Sequence, residues 1–321
     1  MTLALSCAFA TSDQSHEHAR IAEDLGYERA WFYDSPALYP DVWVQLCRAA
    51  ERTRRIGLGP AVLVPSLRHP MTNAAAIATL ASIAGVDRVA VAIGSGFTGR
   101  LTLGQRPLPW KMVEQYVRTV QALLRGEQVE WEGAPICMMH PDGFGAARPI
   151  NVPFIIAAAG PKGIDVAQRI GQGVFASAPI PGFARSVLLA MGTVLLDGES
   201  ADSARAIAAA GHAAAVGLHW ATEFDALDSL PGGRQWAAAY DSVPSRERHL
   251  ALHDQHLIAV NDRDRAFVTG DMLAAQKLAQ TPDAWKQQLQ RFERAGVTEI
   301  AYQPAGADIP GELERFARLV Q

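Results

Sequence analysis

Residues 155–177 read IIAAAGPKGIDVAQRIGQGVFAS. An apolar run ends in a small-residue turn, Ala159-Gly160-Pro161-Lys162-Gly163. Ile164, Val166, Ala167 and Ile170 then follow helical spacing up to Gly171, and a second apolar run begins at Val174. Strand, helix and strand within so short a span make a βαβ unit, the signature of a parallel sheet. Outward from it the rhythm continues in both directions. Apolar runs at 3–9, 30–33, 56–64, 89–93, 154–158, 174–176, 213–218 and 297–302 predict eight strands. Helical patterns at 12–25, 41–53, 70–83, 111–124, 164–170, 183–196, 284–295 and 312–320 predict their helices. Eight such pairs predict a (β/α)₈ TIM barrel more than a Rossmann sheet.

Two segments interrupt the rhythm. Residues 127–149 carry Gly133, Pro135, Pro141, Gly143 and Pro149 around short apolar pieces, and read as a hairpin and loop inserted before strand five. Residues 221–281 contain a Pro-Gly-Gly turn at 231–233 and a His-rich helix near 245–256, and fall after strand seven. Loops after barrel strands lie at the C-terminal face, where active sites assemble, so the second insertion is expected to act as a lid. The whole chain, 1–321, is expected to be one barrel domain with these two insertions.

The composition fits that fold and excludes several others. The 321 residues are 49% hydrophobic and 19% charged with a net charge of −4. That is too apolar for disorder and gives no electrostatic pull toward nucleic acid. Three cysteines, Cys7, Cys47 and Cys137, lie far apart with no CxxC, so neither a disulfide framework nor a zinc knuckle is indicated. The opening LALSCAFA lacks the basic start of a secretory signal, and no apolar run reaches the length of a membrane helix. A cytoplasmic protein without membrane or nucleic-acid partners is expected.

Three small-residue loops follow barrel strands and suggest a site for a flat, phosphorylated cofactor. GLGPAVLVPSLRHP, 57–70, places two glycines and a proline in strand three, permitting a bulge or simply a bend into the loop. Pro70 suits a first helical position, which leaves Arg68 and His69 as loop-packing residues. VAIGSGFTGR, 91–100, contains Gly94, Gly96 and Gly99 in a GxGxxG pattern. A dinucleotide fingerprint would open a helix at once, whereas here 101–109 is expected to intervene, so the loop reads as a wall beside a cofactor. The third, 159–163, sets a lysine at a helix N-terminus, a ready anion site, although alone it serves equally as a tight turn.

LGYERAWFYD, RRIGLGPAVLVPSLRHP, DRVAVAIGSG, ALLRGEQVEWEG (122–133) and AAAGPKGIDVAQRIGQGV, in that order, resemble the luciferase-like flavin- and deazaflavin-dependent oxidoreductases. The likeness runs from about residue 3 to 177, with a weaker echo at 297–320, and is nearest the methylenetetrahydromethanopterin reductase-like branch that uses the deazaflavin coenzyme F420. The resemblance implies a tricyclic ring at the barrel's C-terminal mouth and a non-prolyl cis peptide at Ala61-Val62 behind it. It implies Gly94, Ser95 and Gly96 along the ring or ribityl chain, and Ala159, Gly160, Pro161 and Lys162 around the phosphate, with Ser177 nearby. Asp34 matches a family acid close to the cofactor. A homodimer through the second and third helices is also implied, with Ala74–76 permitting close packing.

The departures narrow the chemistry. Many relatives follow that aspartate with a histidine, where this chain has Ser35. The deazaflavin-dependent sugar-phosphate dehydrogenases carry glutamate where this chain has Phe97. Asp34 and Ser35 are thus the candidate catalytic pair, without the usual proton-transfer group. Three readings follow. One is hydride transfer between F420 and a small organic substrate. Another is an FMN-dependent monooxygenase fed by a separate flavin reductase. The third is a non-catalytic flavin-binding partner subunit. An F420 tail would call for a basic channel, for which Arg100, Arg106 and Arg185 are candidates. His249, His253 and His256 share a helix face but lack HExxH, so a lid or packing role is expected and no metal. His140 reads as loop packing, and Tyr39, Trp43, Phe97 and Trp110 as buried aromatics near the strand ends.

Overall fold

The computed structural model describes residues 3–230 and 232–320, so Pro231 of the predicted turn lies outside the described residues. Eight parallel strands form the barrel: β1 (Ala4–Phe9), β2 (Arg29–Phe32), β3 (Gly57–Pro60), β4 (Val91–Gly94), β5 (Phe154–Ala157), β6 (Gly173–Ala176), β7 (Ser186–Met191) and β8 (Glu299–Gln303). They follow the order β3-β2-β1-β8-β7-β6-β5-β4. Among the described residues, the seam between β3 and β4 is drawn together by isolated bridges at Leu58–Val89 and Leu63–Ile93. Between those bridges the Ala61–Val62 peptide is cis.

Helices α1 (Ser15–Asp24), α2 (Val42–Arg52), α3 (Pro70–Ala84), a short α4 (Phe97–Leu101), α5 (Trp110–Arg125) and α6 (Pro161–Ile170) follow the first strands. Pro70 is the first residue of α3, where its missing N–H has no helical acceptor, and His69 caps the helix, its Nδ1 accepting from Met71 N–H. Before β5 the chain makes an antiparallel hairpin, Val129–Trp131 against Ala134–Ile136.

Alternation along β2 divides the core. Phe32 points outward into the layer between strands and helices, while Trp31 and Tyr33 point into the barrel with Ala8, Ala92, Ile155, Phe175 and Val187. Trp31 closes the barrel from below, donating from Nε1 to Glu299 Oε1 at 2.9 Å. Arg185 pairs with the other Glu299 oxygen at 2.7 Å. This places Arg185 at the N-terminal face and removes it from the predicted basic channel.

Strand seven and the helix before it are corrected. Residues 183–196, expected as a helix, form β7 instead, and β6 reaches it through 177–185 with no helix between. A strand buried on both faces reads as an unbroken apolar run, which helical spacing can mimic. β6 and β8 offer ladders on either side, and those pairings decide the conformation. Residues 213–218, expected as strand seven, lie inside α7 (Ala204–Glu223). The Ser203 hydroxyl caps that helix, and alanine, the strongest helix former, fills it.

After α7 come α8 (Gly233–Ala238), α9 (Arg248–Leu252) and α10 (Gly270–Ala275), then barrel helix α11 (Pro282–Arg294), with α12 (Ile309–Ala317) after β8. The predicted His-rich helix is only α9, with His253 and His256 in the turns beyond it. No helix among the described residues is long and apolar enough to cross a membrane.

Candidate active site at the barrel mouth

The C-terminal mouth opens into a cleft of about 410 Å³. Its walls come from the ends of five strands. Tyr33, Asp34 and Ser35 follow β2, and Ala61 and Val62 follow β3. Ser95 and Gly96 follow β4, Ala159 and Gly160 follow β5, and Ser177 follows β6. Most are small, and where they approach closely nothing larger fits. A Cβ on Gly96, which sits at φ +85°, would lie 2.4 Å from Val64 Cγ1.

Of the predicted site residues, Asp34, Ser35, Ala61, Val62, Ser95, Gly96, Ala159, Gly160 and Ser177 line this cleft together. Gly94 does not. It is buried behind the wall, and a Cβ there would stand 3.2 Å from Ala157 Cβ. Pro161 and Lys162 stand in the exposed first turn of α6, whose N-terminus has no side-chain cap. Pro161 has no N–H, and the Gly163 and Ile164 N–H groups donate to Gly160 O at 3.0 Å, so the Lys162 N–H and ammonium stand next to Gly160 at the edge of the cleft. The short α4 opens directly after Gly96, contrary to the expectation that no helix would follow the glycines at once.

A charged cluster adjoins this space through Asp34. Asp34 Oδ2 accepts from Arg68 Nη1 at 2.6 Å, and Arg68 Nη2 reaches Asp41 Oδ2 at 2.8 Å. Burial pushes the Asp34 carboxyl above its ordinary value, and the Arg68 guanidinium opposes that rise. The Arg68 loop is fixed from behind, because Tyr116 Oη donates to Arg68 O while accepting from Asn73, which in turn accepts from Trp43. Arg68, expected as a loop-packing residue, thus holds Asp34 from outside the cleft. Its only signal in the sequence was a guanidinium within an otherwise apolar stretch. Trp43 belongs to that support and not to the cleft, whereas Tyr39, Phe97 and Trp110 line it. Arg100 donates to Arg106 O and Ser66 Oγ beside the mouth. His140 lies outside the cleft, its carbonyl accepting from Arg148.

The second insertion roofs the cleft. Trp220 and Phe224 at the end of α7 gather on Phe97, with the Phe97 and Phe224 rings nearly parallel at 2° and 6.3 Å between centroids. Leu257 completes the roof in a turn tied to the barrel, where Tyr39 Oη donates to His256 O and Gln303 Nε2 to Leu257 O, both at 2.8 Å. Sequence reasoning misses Trp220 and Phe224 because the apolar run at 213–218 reads as a strand with a loop beyond it, whereas it lies inside α7. Among the described residues, no group of three His, Cys, Asp or Glu is placed to hold a metal ion.

A parallel eight-stranded barrel with a small-walled cleft at its C-terminal mouth, a cis peptide after β3 and an uncapped helix beyond β5 defines a class of barrel enzymes. The chain belongs to the luciferase-like monooxygenase family, whose profile matches residues 8–299. It is 28% identical to an F420-dependent glucose-6-phosphate dehydrogenase of Beutenbergia cavernae, over 92% of this chain and 89% of that one. It is 30% identical to a 5,10-methylenetetrahydromethanopterin reductase of Archaeoglobus fulgidus, a match covering 51% of this chain and only 49% of the reductase. The fold is also that of the coenzyme F420-dependent tetrahydromethanopterin reductase of Methanopyrus kandleri (TM-score 0.67, 19% identity, 98% and 97% of the two chains). It is likewise that of the FMN-bound oxygenating constituent of 3,6-diketocamphane monooxygenase from Pseudomonas putida (TM-score 0.59, 12% identity, 98% of each chain).

Proposed function

We propose that this chain is an F420-dependent oxidoreductase that moves a hydride between the deazaflavin and a small, uncharged organic substrate. The observation that carries this is the continuity of the mouth cleft with the open N-terminus of α6. A flat ring fits between the Ala61–Val62 side and the Ser95–Gly96 wall. An anionic tail fits the Lys162 N–H and ammonium at the start of α6. F420 supplies the hydride chemistry when bound. Asp34, Ser35 and Ser177 offer polar contacts at the ring's edge, with Arg68 holding the Asp34 carboxyl in place. The Phe97–Trp220–Phe224 roof sets an apolar surface over the cleft where a phosphorylated sugar would need cations.

FMN is the alternative occupant, supported by the FMN-bound neighbour. On that reading the enzyme is a luciferase-like monooxygenase served by a separate flavin reductase. A homodimer through α2 and α3 is part of the proposal, supported by the exposed Val44 and Ile83 on those helices. The test is anaerobic consumption of reduced F420 with a panel of ketones and enones, set against oxygen uptake with reduced FMN. Turnover in the first assay alone supports the proposal, and turnover in the second alone replaces it with the monooxygenase.

A further inference from the structure

A second, smaller chamber of about 150 Å³ continues the mouth cleft beyond the aromatic roof. Phe97, Thr98, Ser177, Leu189, Trp220 and Leu257 line both spaces, so the two share a wall. Met191 at the end of β7, Val216 on α7 and Leu252 at the end of α9 line the chamber and not the cleft. The chamber's surface is mostly apolar.

Leu257 stands in the shared wall with a backbone that leucine rarely adopts, at φ +60°, and Gln255 two residues earlier is at φ +58°. The barrel holds this turn in place. Tyr39 Oη donates to His256 O and Gln303 Nε2 donates to Leu257 O, both at 2.8 Å. Gln303 is itself fully buried and accepts from Tyr33 Oη at 2.9 Å. The Leu257 side chain packs on the barrel-interior cluster that contains Tyr33, Tyr39 and Ala61. Left-handed backbone at a bulky residue persists only where its surroundings over-determine it, and such strain gathers at ligand sites. The side chain between the two spaces is therefore fixed, and its size sets the passage from one to the other.

The chamber's volume and chemistry define its occupant. An apolar cavity of about this volume stays dry and holds one benzene molecule. Glu223 is in the lining, and among the described residues no lysine or arginine is. Burial holds His253 and His256, also in the lining, toward their neutral forms. An anion entering there would lose its hydration and gain no cation. We propose that this chamber is a substrate subsite for an uncharged, single-ring hydrocarbon group, and that Leu257 is the specificity-determining residue that limits the size of that ring. The substrate is then a ring bearing a short arm, with the ring in the chamber and the reacting arm in the cleft. This rests on the cofactor reading of the cleft given above.

The experiment is ¹⁹F NMR of the full chain loaded with F420, titrated separately with fluorobenzene, fluoronaphthalene and para-fluorobenzoate. Fluorobenzene is expected to bind, and its Kd to rise about tenfold in Val216→Phe, which fills the chamber, while the Kd of F420 stays within about twofold. Para-fluorobenzoate should bind at least about tenfold more weakly than fluorobenzene. Leu257→Ala keeps a side chain with the same backbone preference and widens the passage, so fluoronaphthalene should bind about tenfold more tightly than in the wild type. Benzylideneacetone should displace fluorobenzene, and ethylideneacetone, which lacks the ring, should not. In the wild type alone, nuclear Overhauser contacts from fluorobenzene to the Met191 methyl are expected, which decides the location even if a variant does not fold. Absence of those contacts, or benzoate binding as tight as fluorobenzene's, overturns the chamber. Fluoronaphthalene binding unchanged in Leu257→Ala overturns the role of Leu257, and failure of benzylideneacetone to displace the probe overturns the substrate role. F420 binding without fluorobenzene binding removes only the chamber, whereas absence of F420 binding removes the cleft reading and the chamber's substrate role with it.

Discussion

Arg68 Nη1 lies 2.6 Å from Asp34 Oδ2 at the mouth of the barrel, and the same guanidinium holds Asp41 Oδ2 at 2.8 Å. The two carboxylates do different work. Asp41 caps α2 by accepting from Trp43 and Val44 N–H, whereas Asp34 faces the cleft. One arginine therefore ties the first turn of a barrel helix to the candidate cofactor site.

Arg68→Met should remove that tie and leave Asp34 buried without its cation. The expected cost at pH 7 is about 3–5 kcal/mol, the scale for breaking a buried pair from one side. Asp34 is an acid whose folded pKa is already raised by burial, so stability is present while it is protonated and is lost as pH rises through its folded pKa. Losing Arg68 raises that pKa further. Urea denaturation at pH 7 and pH 4 should thus show the larger penalty at pH 7, and an equal penalty at both would detach Asp34 from the effect.

Tyr39→Phe deletes the hydroxyl that donates to His256 O at 2.8 Å and so loosens the roof. A single hydrogen bond of this kind is worth about 1 kcal/mol, or roughly fivefold in local opening. Limited proteolysis within 221–281 should accelerate by that order, and cofactor should protect the segment in the wild type. Unchanged cleavage would make the roof rigid on its own.

How far the sequence carried depended on what each residue's conformation answers to. Strands β1 to β6 and β8 were legible because Gly, Pro and polar residues bracket each apolar run. β7 was not, since Val187 to Met191 satisfies either period and only the β6 and β8 ladders settle it. Of the nine cleft residues, Ala61, Val62, Ser95, Gly96, Ala159 and Gly160 fall in small-residue loops after strand ends, whereas Asp34, Ser35 and Ser177 are reached only through the family resemblance. Arg68, Trp220 and Phe224 were not legible, because their roles arise from long-range approach that spacing does not encode.

Glu199 accepts from Arg205 and Ser203, and the Arg205 hydrogen bonds hold it at about 2. A depressed carboxyl contributes stability above its unfolded pKa, near 4.5, that is lost as pH falls toward the folded value. Glu199→Gln should be destabilised by about 1–3 kcal/mol at pH 7, with the gap from wild type closing between about pH 4.5 and 2. A gap independent of pH would assign the loss to packing.

Lys162 is exposed in the first turn of α6, so its attraction for a cofactor anion is partly screened. Lys162→Ala should weaken F420 binding by about 1 kcal/mol, or roughly fivefold to tenfold, and more at low salt than at high. An unchanged Kd at low salt would move the phosphate away from α6.

The most direct measurement is a fluorescence titration of the apo-protein with F420 and with FMN, side by side. Saturable, tighter binding of F420, weakened by Lys162→Ala, is the result expected of a deazaflavin cleft at the barrel mouth. Tight binding of FMN with none of F420 would contradict it.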